Sequence, residues 1–246
     1  MSRVPAARTR LASGRTTHSL PTVRSTPMSH VAIIGGHGKV ALILSQLLKT
    51  GGNDVTSIFR NPDHTDDVEN TGATPVVADV EQLSVAQIAD LLEGHDAVVW
   101  TAGAGGGSPE RTYAVDRDAA IRAMDAAEVA GAKRFVMVSY FGAGQDHGIP
   151  EDDPFHAYAQ AKADADDHLR ASALDWTIVG PGALTEDEAS GKIDVSTGER
   201  DGERKTSRAN VALVVGAVLD DPSTVGKKID FSDGDTLISD ALEVVA

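Results

Sequence analysis

Cysteine is absent from all 246 residues. Without a thiol there is no disulfide framework, no thiolate nucleophile and no metal site built on sulfur. Aromatic residues are scarce at 4%, so a core has to be packed from Ala, Val, Leu and Ile. No apolar run approaches the roughly eighteen residues of a membrane-spanning helix, and no membrane partner is expected. Basic charge is short as well: 22 Lys and Arg stand against 37 Asp and Glu, a net −15 with His neutral. A nucleic-acid backbone would be repelled at long range, so nucleic acid is excluded as a non-specific partner. The eight His show neither H-x-x-x-H spacing nor a carboxylate cluster beside them, and no metal site is expected. Ser139 lacks the G-x-S-x-G turn of a hydrolase nucleophile.

The basic charge that exists is unevenly placed. Arg3, Arg8, Arg10, Arg15 and Arg24 precede the first acidic residue, Asp54. Residues 1–27 are rich in Ser, Thr and Pro, lack helical or strand periodicity and lack the apolar stretch of a secretory signal. They read as a disordered extension or a start assigned too early, with Met28 the initiator. An organelle transit peptide is the alternative. The expected location is the cytoplasm, and nothing in the sequence fixes an oligomeric state.

From His30 onward, short apolar runs alternate with helical patterns. The runs are His30–Gly35, Asp54–Phe59, Pro75–Ala78, Asp96–Thr101, Arg134–Ser139 and Trp176–Val179. Continuous Val- and Ile-rich runs of this length suit strands buried on both faces of a parallel sheet. Helices are expected over Gly38–Thr50, Ser84–Glu93, Pro109–Ala130, Pro154–Ala173 and Arg208–Leu219, with a strand near Lys228–Phe231 and a last helix after Asp235. This order predicts an α/β fold with a doubly wound parallel sheet, one domain over residues 28–246. Ligands of such sheets bind beyond the carboxyl ends of the strands.

The first strand runs into Gly35-Gly36-His37-Gly38-Lys39-Val40-Ala41 and then a helix. A tight glycine turn lets the backbone approach a pyrophosphate, and the helix N-terminus offers unpaired N–H donors. Dinucleotide binding follows. A mononucleotide P-loop is excluded, because Val40 stands where Ser or Thr must hold magnesium.

The stretches I-G-G-H-G-K-V-A, F-R-N-P, V-A-D, T-A-G-A, Y-A-Q-A-K, W-T-I-V-G-P-G and S-R-A-N-V-A resemble the short-chain dehydrogenase/reductase superfamily. More closely they resemble its atypical branch of NmrA-like and NAD(P)-dependent epimerase proteins, from Met28 to about Val245. The resemblance implies a Rossmann fold. It also implies that Asp79 and Val80 flank the adenine, that Thr101, Ala102 and Gly103 lie beside the nicotinamide half, and that Pro181 and Gly182 form the loop over the nicotinamide. At the end of the second strand an NAD enzyme carries a carboxylate for the ribose, whereas Arg60, followed by Asn61, suits a 2′-phosphate. Lys39 adds a second cation, so NADP is expected over NAD.

Tyr158 and Lys162 lie four apart on one predicted helix and share a face. A cation there draws the phenol toward the working pH and makes Tyr158 a proton donor to a carbonyl, with Lys162 also reaching the ribose. Ser139 matches the family's upstream serine, and Asp116 the position of its fourth catalytic member. The spacing of 19 residues between Ser139 and Tyr158 exceeds the family's usual gap, the excess falling in the acidic, mobile-looking segment Gly144–Pro154. The Asp-rich stretch Asp164–Asp167 reads as a solvated helix face without a role. The expected activity is NADP-dependent hydride transfer to a small carbonyl-like substrate. The alternatives are a non-catalytic NADP(H) redox sensor and a nucleotide-sugar epimerase or dehydratase.

Overall fold

Each of the first strands ends at a turn or loop that the next helix leaves. The computed structural model describes residues 1, 29–105, 108–195 and 204–245; the leader expected over residues 1–27 lies, apart from Met1, outside them. The chain forms β1 (His30–Ile34), α1 (Lys39–Thr50), β2 (Asp54–Phe59), α2 (Thr65–Glu69), β3 (Thr74–Val77), α3 (Val85–Leu92) and β4 (Ala97–Trp100). Next come α4 (Pro109–Thr112), a π-helical segment (Tyr113–Ala119), α5 (Ala120–Ala130), β5 (Arg134–Val138), α6 (His156–Ala171) and β6 (Asp175–Pro181). The C-terminal part adds β7 (Ala183–Thr185), β8 (Lys192–Val195), β9 (Lys205–Ser207), α7 (Arg208–Asp220), β10 (Lys227–Asp233), β11 (Thr236–Leu237) and α8 (Ile238–Glu243).

Among the described residues nine strands make one sheet in the order β11-β8-β10-β6-β5-β4-β1-β2-β3, and β7 pairs with β9 in a second, two-stranded sheet. From β3 to β10 every pairing is parallel. β8 runs antiparallel to β10, and β11 antiparallel to β8. The doubly wound Rossmann architecture is therefore present, with an antiparallel edge that the apolar runs did not announce. Those edge strands are short and half polar, as in Lys192-Ile193-Asp194-Val195, so they carry no run to read.

Strand alternation divides the core in two. Val31 and Ile33 join one cluster with Val40, Leu44 and Leu48 of α1 and Val211, Val214, Val215 and Val218 of α7. Ala32 and Ile34 join the other with Ile88 and Leu92 of α3, Met124 and Ala127 of α5 and Leu169 of α6. Burial on both faces is why the runs are continuous and not alternating. Local signals set the helix ends: Ser84 and Gln87 form a reciprocal capping box at the start of α3, and Gly131 ends α5 in the left-handed region. The order reverses between β1 and β4, and the strand-end crevice at that switch is the ligand position of such sheets.

Candidate active site and cofactor cleft

The turn from β1 into α1 is forced by close approach. Gly35 has φ +90°, and a Cβ there would lie 2.6 Å from the backbone nitrogen of Ala102. A Cβ on Gly36 would lie 2.6 Å from the Cβ of Ser57, so this glycine lets the turn settle against β2. The start of α1 carries no side-chain cap and no acidic residue in its first turn. Its first N–H groups thus remain as donors with the positive end of the helix dipole behind them. Gly35→Ala is expected to destabilise the fold by about 1–3 kcal/mol through backbone strain alone, the Ala102 clash adding to it. Urea unfolding checks this, and an unchanged midpoint would contradict it.

A cavity of about 430 Å³ opens beside that turn. Its walls include Gly35, His37 and Gly38 of the turn, Arg60 and Asn61 after β2, Asp79 and Val80 after β3, and Thr101, Ala102 and Gly103 after β4. Thr101 is fixed by donating to the carbonyl of Ile34 at 3.0 Å. Gly36, Lys39, Val40, Lys162, Pro181 and Gly182 are not among the cavity walls. Pro181 closes β6, and the N–H of Gly182 donates to Thr206 Oγ1 and to the carbonyl of Phe231, both at 3.0 Å.

Both cations that favour a 2′-phosphate are already paired. Arg60 Nη1 lies 3.2 Å from Glu81 Oε1, and Lys39 Nζ lies 2.6 Å from Glu186 Oε1. Glu81 Oε1 also accepts from Arg111 Nη2 at 3.2 Å. A further group escaped the sequence pattern: His37, His64 and Asp67 bring one ligand atom each within 4.8 Å of one another. The two imidazoles stack at 3.6 Å with planes 3° apart, and His37 Nε2 meets Asp67 Oδ2 at 2.9 Å. Two parallel planes so separated share no in-plane point, so one ion cannot take a lone pair from both rings in this arrangement.

The other centre is built on α6. Lys162 Nζ donates to the carbonyl of Val138 at 3.0 Å and lies 3.7 Å from Asp116 Oδ1. Both side chains are buried, at 3% and 1% exposure. The widened π turn over 113–119 carries Asp116 inward, a feature frequent at functional sites. Asp116 Oδ2 accepts from the N–H of Ala104 at 3.0 Å, and Ala104 is itself a cavity wall. Ser139 Oγ donates to Asp166 Oδ2 at 2.8 Å, with both residues buried.

Asp166 thus corrects the reading of Asp164–Asp167 as a solvated face. It continues the 158, 162, 166 face of α6 inward, and that spacing was the signal available. Burial outweighs Lys162 and Ser139 and raises its carboxyl above the usual range. Tyr158 also differs from expectation. Burial first, then Asp116 and Asp166, push its phenol well above the usual tyrosine range. Tyr158 packs at 5.1 Å from Phe155 and 5.5 Å from Tyr140 between ring centres. Burial, then Tyr158 and the nearby carboxylates, push the Tyr140 phenol up to about 12. The long segment before α6 is tied down: Gln145 Nε2 donates to Asp164 and Asp167, and His156 Nδ1 meets the carbonyl of Ile149 at 2.8 Å.

The sequence pattern of the NAD(P)H-binding family matches residues 35–222. A Bacillus subtilis protein described as an uncharacterized sugar epimerase, YhfK, is 36% identical over 216 residues, 87% of this chain and 98% of its own. A solved structure from Bacillus halodurans, described as a candidate NAD-dependent epimerase/dehydratase, superposes with a TM-score of 0.80 at 34% identity, covering 88% of this chain and 99% of that one. The oxidoreductase ylbE from Lactococcus lactis gives a TM-score of 0.77 at 31% identity, covering 88% and 96%.

Proposed function

The chain belongs to the NAD(P)H-binding family, and we propose that it is a cytoplasmic NADP-dependent oxidoreductase of the atypical short-chain type that reduces a small carbonyl-like substrate. One observation carries this reading. Asp116 joins the two halves of the site, accepting from cavity-wall Ala104 at 3.0 Å while facing Lys162 at 3.7 Å, one helical turn from Tyr158. The cleft fits a dinucleotide: a glycine turn and an open helix N-terminus stand at one end, and the ends of β2, β3 and β4 line the wall.

When bound, the cofactor supplies the hydride. Gly35, Gly36, His37, Gly38 and Val40 would hold its pyrophosphate, Arg60, Asn61 and Lys39 its 2′-phosphate end, and Asp79 and Val80 its adenine. Thr101, Ala102, Gly103, Pro181 and Gly182 would surround the nicotinamide half, with Lys162 on its ribose. Tyr158 donates the proton to the substrate oxygen. A phenol kept protonated by burial and nearby carboxylates suits an acid. Ser139 donates its hydroxyl to Asp166 and would orient the substrate oxygen by turning that proton to it, and Asp116 positions Lys162.

The test is NADPH consumption by the full chain against a panel of aldehydes and quinones. Substrate-dependent consumption is expected. A second reading, the non-catalytic NADP(H) sensor, rests on the fact that the cavity walls do not include Tyr158; tight NADPH binding with no consumption across the panel would favour it. NADPH should also bind more tightly than NADH. Arg60→Ala should remove most of that difference, about 1.5–3 kcal/mol for a charged hydrogen bond. Equal affinities for the two cofactors in the native chain, by calorimetry, would contradict the NADP assignment.

A further inference from the structure

We propose that Glu81 sets how strongly the chain distinguishes NADP from NAD, by occupying Arg60 in the place where a 2′-phosphate must bind. The proposal rests on the cofactor reading above and extends it to a residue that the sequence did not single out.

Glu81 follows β3 and lines the cavity together with Arg60, Arg111, Asp79 and Asn61. A single carboxylate oxygen, Oε1, receives both Arg60 Nη1 and Arg111 Nη2, each at 3.2 Å. This is not a loose surface pair: the Glu81 side chain is 16% exposed, Arg111 35% and Arg60 56%. The three differ in how firmly they are held. The backbone around Glu81 is pinned, because Arg122 donates to the carbonyls of Val80, Glu81 and Leu83 at 3.0–3.1 Å. The Glu81 N–H also donates to Asp79 Oδ1 at 3.1 Å. Arg111 is held twice, through Glu81 and through the carbonyl of Ala104 at 2.8 Å. Arg60, the most exposed, is held to this cluster through Glu81.

A guanidinium binds carboxylate and phosphate with the same fork of donors. The Glu81 carboxylate is therefore an internal stand-in for the 2′-phosphate. When NADP binds, Arg60 has to exchange one anion for the other, and the phosphate must also come close to the Glu81 charge. Each effect reduces the advantage that Arg60 gives to NADP. For NAD, with a ribose hydroxyl at that point, no exchange of anions is needed, and the Arg60–Glu81 pair can stay. Arg111 remains clamped to Ala104 in either case and keeps the loop after β4 against the cleft. Asp79 Oδ1 accepts from the Glu81 N–H, and the Glu81 side chain is the carboxylate paired with Arg60.

The test is calorimetry on the full chain with four probes: NADPH, NADH, adenosine 2′,5′-bisphosphate and 5′-AMP. Glu81→Gln keeps the side chain's size and a hydrogen-bonding oxygen but removes the charge. It should tighten NADPH and the bisphosphate by about tenfold, the lower end of what a charged hydrogen bond contributes. NADH and 5′-AMP should move by less than about twofold, within the scatter of ordinary surface substitutions. In an Arg60→Ala background the same substitution should tighten NADPH and the bisphosphate by clearly less than in the native chain, because only the direct repulsion between Glu81 and the phosphate is left to relieve. Glu81→Ala, with the melting temperature followed in parallel, guards against a fold effect peculiar to the amide. The proposal is overturned if Glu81→Gln and Glu81→Ala weaken or do not change NADPH binding. It is overturned as well if they tighten both cofactors equally, or if the gain without Arg60 is as large as the gain with it. Failure of the wild-type chain to bind any of the four probes would instead overturn the cofactor reading, and the Glu81 proposal with it.

Discussion

Tyr158→Phe is expected to lower turnover by about 10²–10⁴-fold, the range for a lost general acid, while NADPH affinity stays nearly constant. Phenylalanine keeps the ring that packs against Tyr140 and Phe155 and removes only the hydroxyl. The measurement is kcat and cofactor affinity on any carbonyl that the chain reduces. Full activity in the variant would contradict the mechanism and move proton delivery elsewhere, with Asp116 the next candidate. Because the phenol is held above its usual range, the wild-type group stays protonated through neutral pH. Its rate should therefore not fall as the pH passes from 6 to 8 on account of Tyr158.

The second large effect concerns folding. Asp116→Asn keeps an oxygen able to accept from Ala104 but takes from the Lys162 ammonium, 3% exposed, the carboxylate 3.7 Å away, while the neighbouring Asp166 carboxyl is held above its usual range by burial. Removing one partner of a buried pair costs about 3–5 kcal/mol. In a domain of this size that is roughly a 10 °C loss of melting temperature or more. Adding Lys162→Met should recover most of the loss, because a neutral pair of similar volume is often tolerated. Single and double variants unfolding within about 1 kcal/mol of wild type would show that the Asp116–Lys162 contact carries little energy.

The sequence was legible where burial wrote a continuous apolar signal. The run Asp54–Phe59 is β2 residue for residue, and Lys39–Thr50 falls within one residue of its expected start, since a glycine turn marks that end. Legibility stopped where structure depends on partners far away in the chain. β7, β9 and β11 are two or three residues long, held by pairing that no local pattern records. The π turn that aims Asp116 inward reads as ordinary helix, because a single widened turn leaves the apolar spacing on either side intact. Asp166 was hidden among acidic neighbours, although its four-residue step from Lys162 marked the buried face. Glu81 was invisible for a different reason: its partners Arg60 and Arg111 lie 21 and 30 positions away, so only the fold brings them to one cavity. The same distance effect concealed the His37–His64 stack.

The most direct measurement is a crystal structure of the full chain grown with NADPH. The account predicts the pyrophosphate on the Gly35–Gly38 turn, the 2′-phosphate on Arg60 with Glu81 displaced, and the nicotinamide facing the Tyr158 hydroxyl across an open space. Cofactor bound elsewhere, or a nicotinamide turned away from Tyr158 with that space filled by protein, would contradict it.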